Sequence, residues 1–96
     1  MPTKDEYVRK MHSKLDHWNA EIDKLAAKAD QSKAEIRAEY DKQIEELRSK
    51  RSEARNKLER LQNASEGAWE DMKAGVEMAW DAIGEAIDSA KSRFGK

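Results

Sequence analysis

His12 and His17 are the two imidazoles of this 96-residue chain, and a histidine pair is where metal binding or proton transfer would begin. Five residues apart on a helix, they turn away from each other, whereas helical metal ligands use the i,i+4 spacing that stacks both rings on one face. No Cys is present, which removes thiolate ligands and thiol nucleophiles together. His12 with Asp16, one turn later, is a candidate local hydrogen bond. Serines and acids occur along the chain, yet none stands in a nucleophile elbow, a phosphate-cradling glycine loop or a convergent carboxylate pair. The sequence therefore predicts no catalytic residue, no metal and no cofactor, and the chain reads as a non-enzyme.

Two other groupings have chemical potential. Arg48, Lys50, Arg51, Arg55, Lys57 and Arg60 cluster against only Glu53 and Glu59, a basic run of the kind that tracks phosphates. No aromatic residue interleaves it, so a solvated helical face is expected and nucleic acid is not an expected partner. The second grouping is the stretch AWEDMKAGVEMAWDAIGEAIDSAKSRF, Ala68 to Phe94, in which an Ala-Trp pair recurs after eleven residues. Trp69, Met72, Val76, Trp80, Ile83, Ile87 and Phe94 fall on one helical face there, beside Ala68, Ala79, Ala86 and Ala90. Such a face packs on another helix or lies on a lipid surface. Residues 66–88 hold seven acids and Lys73 alone among bases, which anionic lipid would repel, so packing is the first reading and a membrane-surface helix the alternative.

The elements that must carry these residues are helices. With 41% charged and 38% apolar residues, one Pro and four Gly, the chain cannot build a thick core but suits a thin seam between helices. The N-terminus has no signal-peptide pattern and no stretch approaches a membrane span, so a cytoplasmic protein is expected. Residues 1–65 hold 15 Lys/Arg against 13 Asp/Glu, while 66–96 hold 4 against 7. The acids of that second part come first and Lys91, Arg93 and Lys96 last, the order a helix dipole favours.

Pro2, Thr3 and Glu6 mark a helix start, with Thr3 and Glu6 forming a capping box. Apolar residues then recur in steps of three and four at Val8, Met11, Leu15, Trp18, Ile22, Leu25 and Ala29, a seven-residue repeat. Beyond Leu25 the interval becomes eleven, through Ile36, Leu47, Leu58, Trp69 and Trp80, with Leu61, Met72, Ile83 and Phe94 as a second row. Arg51 and Ala54 weaken the stripe, and Arg51 on the seam would select register or partner. Gln62 to Gly67 is the one candidate break, carrying Asn63, Ser65 and Gly67.

The reading is thus all-α: a coiled-coil helix over 1–62, a turn or hinge at 63–67, and a C-terminal amphipathic helix over 68–96. The alternatives are a helical hairpin and a near-continuous rod. A first helix of about 59 residues would span roughly 88 Å, too far for the second to cover. Val8, Met11, Leu15, Trp18, Ile22 and Leu25, continued by Ile36, Tyr40, Leu47, Leu58 and Leu61, then form a seam in need of a homo-oligomer or a helical partner.

The stretches KLDHWNAEIDKLAAKAD, YDKQIEELRSKR and the doubled A-W segment resemble a group of small bacterial coiled-coil proteins, some labelled as stress-response proteins. The eleven-residue period is also similar to that of late-embryogenesis-abundant and apolipoprotein-type helices. These resemblances imply a protective or scaffolding role without catalysis, and they give no catalytic residue to carry over.

Overall fold

The computed structural model describes residues 3–94; Pro2 ahead of the first cap and Lys96 among the terminal bases lie outside them. Three helices follow one another: α1, Lys4–Asp30; α2, Ala34–Gln62; and α3, Ala68–Phe94. Thr3 caps α1, its Oγ1 accepting the Glu6 N–H at 3.2 Å, and so satisfies one of the four orphan donors of a helix start. Acids occupy the first turn of α3 at Glu70 and Asp71, and bases the last at Lys91 and Arg93, opposite to the partial charge of each end.

Helices of 27 and 29 residues are about 40–44 Å long, and the described chain measures 51 × 16 × 16 Å. They lie side by side in an up-down-up bundle. Lys4 of α1 reaches Ala64 just past α2, and Asn19 meets Arg51, which sets α1 antiparallel to α2. Tyr7 lies against Trp69, and Glu21 against Lys91, which sets α1 parallel to α3.

The single helix expected over 1–62 is therefore two helices, reversed at Gln31, Ser32 and Lys33. The last turn of α1 tightens, with Gln31 N–H on Lys28 O at 3.2 Å and Ser32 N–H on Ala29 O at 3.1 Å. Lys33 adopts φ −62, ψ 147, and its carbonyl accepts from Ile36 and Arg37 to restart α2. The driving force is burial. A straight helix would leave the stripe of α1 in water, whereas reversal covers it at roughly 25 cal/mol per Å². The cost is a few backbone bonds worth about 1 kcal/mol net each.

The expected shortage of cover for the N-terminal stripe does not arise. Val8, Met11, Leu15, Ile22, Leu25 and Ala29 are all buried within the one chain, Ile22 completely. In α2 the buried set is Ile44, Leu47, Ala54, Leu58 and Leu61, and in α3 it is Trp69, Val76, Trp80, Ile83, Ile87, Ala90 and Phe94. Within each helix the inward residues step by three and four once the half-buried Trp18, Arg51 and Met72 are counted with the buried ones. The eleven-residue intervals inside α2 and α3, such as Leu47 to Leu58, are sums of such steps, four, three and four. Ile36, on the eleven-residue row, is instead 42% exposed, in the first turn of α2 at the end of the bundle.

Candidate functional site

The side chains with the most chemical potential converge where α1 runs beside α3, two helices that no turn joins directly. Trp80 is buried and Trp18 half-buried, and both indole N–H groups, like the Tyr7 hydroxyl, are enclosed without a hydrogen-bond partner. A Cβ added at Gly84 would meet Trp18 Cζ2 at 3.6 Å, so the Trp18 ring lies over the spot where α3 lacks a side chain. Ser13, Lys14, His17 and Asp81 join the two indoles in lining a shallow groove.

Toward the end of the bundle that holds the α1–α2 turn, Glu21 binds α1 to α3. Its carboxylate accepts from Lys91 Nζ at 2.6 Å, with Lys24 at 3.8 Å and His17 at 4.0 Å. The hydrogen bond from Lys91, reinforced by its charge and those of Lys24 and His17, holds the Glu21 carboxyl below its ordinary range. Tyr40 and Phe94 stack beyond it with ring centroids 3.9 Å apart.

At the opposite end Tyr7 and Trp69 are tilted rings at 5.8 Å, with Lys73 Nζ 5.2 Å and 5.3 Å from their centroids, within cation–π range. Burial, followed by the charge of nearby Glu77, pushes the Tyr7 phenol up to about 12. Lys4 Nζ donates to Ala64 O at 3.1 Å and fastens the α2–α3 loop to the start of α1.

The other sequence candidates are placed as follows. His12 lines a groove between α1 and α2 with Asp16, Asn19, Asp23, Arg51 and Arg55, while His17 faces the other seam and has the acidic neighbour. Arg51 occupies a stripe position of α2 and donates to Asn19 Oδ1 at 3.1 Å, a polar link inside the chain. Arg55 pairs with Glu59 at 3.5 Å, and Lys57 and Arg60 line a groove that also holds Asp71. Among the described residues no group of three His, Asp or Glu is disposed to hold a metal, and no helix is long and apolar enough to cross a membrane.

The seam residues Val8, Met11, Leu15, Ile22, Leu25, Leu47, Leu58 and Leu61 face the chain's own core, with Trp18 and Tyr40 packed half-buried against it. The C-terminal face packs into the same core, Met72 at its edge. Sequence reasoning missed the opposite side of α3, where Met78 is 72% exposed between exposed Ala74 and Ala82. The i,i+4 spacing of Ala74, Met78 and Ala82 was the available signal. The Glu21–Lys91 link, joining residues far apart in the chain, had none. Comparison with protein-family models, curated proteins and solved structures gives no match.

Proposed function

We propose that the protein is a non-enzymatic helical interaction module, working by helix–helix contact with a second copy or a helical partner through the outer side of α3. One observation supports this above others: α3 carries a small apolar patch on its outer side as well as its buried stripe. Its inner side fills the core, while Ala74, Met78 and Ala82 stand exposed on the other. The patch spans two turns between the acids Asp71 and Glu85, and alanines flanking a methionine let another backbone come close around an adaptable side chain. A stress-related or scaffolding role, as the resemblance implies, and a cytoplasmic setting belong to the same proposal.

Sedimentation equilibrium across concentration tests it. The protein should associate reversibly, and Met78→Glu should weaken association while helicity stays unchanged. Equal association by both forms would remove the outer side of α3 from the mechanism.

A second reading, a bundle that opens onto a lipid surface, has its own support. The three enclosed polar atoms without partners, on Tyr7, Trp18 and Trp80, all belong to aromatic rings on α1 and α3. The headgroup region of a bilayer offers such rings both apolar contact and acceptors. Flotation with zwitterionic vesicles should carry the protein upward and shift its tryptophan emission to the blue. Unchanged emission with every vesicle composition ends that reading.

A further inference from the structure

We propose that two copies of this chain exchange α1: Gln31–Lys33 straightens into one helix from Lys4 to Gln62, and α1 of each copy packs on α2 and α3 of the other. This rests on the reading of the chain as a self-associating helical module, but it uses a different surface from the outer side of α3.

The turn itself is the first support. It contains neither Gly nor Pro, and no non-glycine residue of the described chain has positive φ. Helix ends often take a left-handed residue, most often Gly, and this turn, like the α2–α3 turn, does without one. Gln31, at φ −88, ψ −5, is already near the right-handed helical region, and Lys33 leaves it through ψ 147. The N-cap of α2 has no side-chain hydrogen bond. Two side-chain bonds close the turn locally, Ser32 Oγ to Lys28 O and an Arg37 guanidinium to Asp30 O. The Ser32 bond also fits a continuous helix, where serine commonly bonds the carbonyl four residues back. Short hinge loops of this kind favour exchange.

Ile36 is the second support. It is 42% exposed, while Leu25 and Leu47, eleven residues to either side, are 3% and 2% exposed. Eleven residues make three turns, so on a straightened helix all three lie along one stripe. In a two-fold pair the hinge segments of the two copies run beside each other, and Ile36 gains the cover it lacks in the single bundle.

The contacts of α1 account for the rest. Asn19 with Arg51, Glu21 with Lys91, Tyr7 with Trp69 and Lys4 with Ala64 form between copies as they do within one. The balance is then set by the hinge, by Ile36 and by concentration.

Ala34→Pro separates the two states. Ala34 is the first residue of α2, where proline is well tolerated, and Lys33 before it holds the extended conformation a following proline requires. In the straightened helix the same ring removes a backbone bond and collides with the carbonyl four residues earlier. Asp16→Cys and Arg55→Cys, on the two sides of one groove in a chain free of other cysteines, provide spin-label positions. Those positions are close in the single bundle and about 58 Å apart on a straight helix.

The protein is refolded at high concentration, with labelled chains diluted into unlabelled ones, and its mass and intrachain distance are measured together. The expected result is a dimer with the long distance, weakened at least about tenfold by Ala34→Pro. Ser32→Gly with Lys33→Gly, which disfavours the straight helix without fixing φ, should act in the same direction and serves if the proline variant fails to fold. A dimer keeping the short distance overturns the exchange. If that dimer is lost in Met78→Glu, association through α3 still stands. A chain that stays monomeric with the short distance overturns both.

Discussion

The two ends of the bundle reverse the chain with matching backbone bonds but different residues. At the α2–α3 end, Asn63, Ser65 and Gly67 lie in the loop, Ala68 N–H and Trp69 N–H both bond Ser65 O, and Lys4 ties Ala64 back to α1. At the α1–α2 end, Gln31, Ser32 and Lys33 include no glycine or proline. The reversal there depends on what happens above it: Tyr40 stacked on Phe94, Glu21 clamped by Lys91, and the leucines of α1 seated in the core. One turn carries turn-forming residues, while the other has only the bonds of Ser32 and Arg37 and the packing above it. Cutting the core should therefore release the α1–α2 reversal more readily than the α2–α3 one.

The strongest test removes the packing. Leu58 has no exposed surface, and Leu58→Ala should cost about 2–5 kcal/mol by urea denaturation. Hydrogen exchange should show α1 losing protection earlier than the α2–α3 loop region. Equal loss at both ends would break the contrast.

A matched pair of prolines sharpens it at smaller scale. Ala68→Pro deletes the bond to Ser65 O at 3.1 Å and should destabilise by about 1–3 kcal/mol. Ala34→Pro, directly after the N-cap Lys33 rather than three residues past the accepting carbonyl as Ala68 is, fits the backbone and should stabilise the single bundle by about 0.4–1 kcal/mol. Thermal melts at low concentration measure both.

Opposite ends of the pH scale act on opposite ends of the molecule, with the smallest effects. Glu21 is held below its ordinary value of 4.5, so its contribution is present above that value and is lost as pH falls through the lowered one. Glu21→Gln should flatten the acid limb of the stability curve. Tyr7 is raised from 10.0 to about 12, so its contribution is full below 10.0 and is lost as pH rises through about 12. Tyr7→Phe should flatten the alkaline limb alone.

This contrast also explains what was legible beforehand. Helices and their inward stripes follow from steps of three and four, a property of one helix at a time. The reversal at Gln31–Lys33 is not local, and its trace is faint: Ala29 and Ile44 are fifteen residues apart, where an unbroken seven-residue repeat gives fourteen. Reading that slip as a change of period kept the helix straight and put Ile36 on the seam. The same residues then required an external partner that the chain itself supplies through α2 and α3. Arg51 was visible as an interruption of the stripe, but its acceptor Asn19 lies on another helix, and periodicity carries no information across helices.

That polar link has a further consequence. Leucines and alanines meeting in a row are nearly indifferent to sliding by a full heptad. A guanidinium facing one amide oxygen is not, since a shift of seven residues would strand its charge opposite His12 or Ala26. That hydrogen bond therefore adds to the short α1–α2 turn and the Lys4–Ala64 bond in fixing the phasing of the two rods.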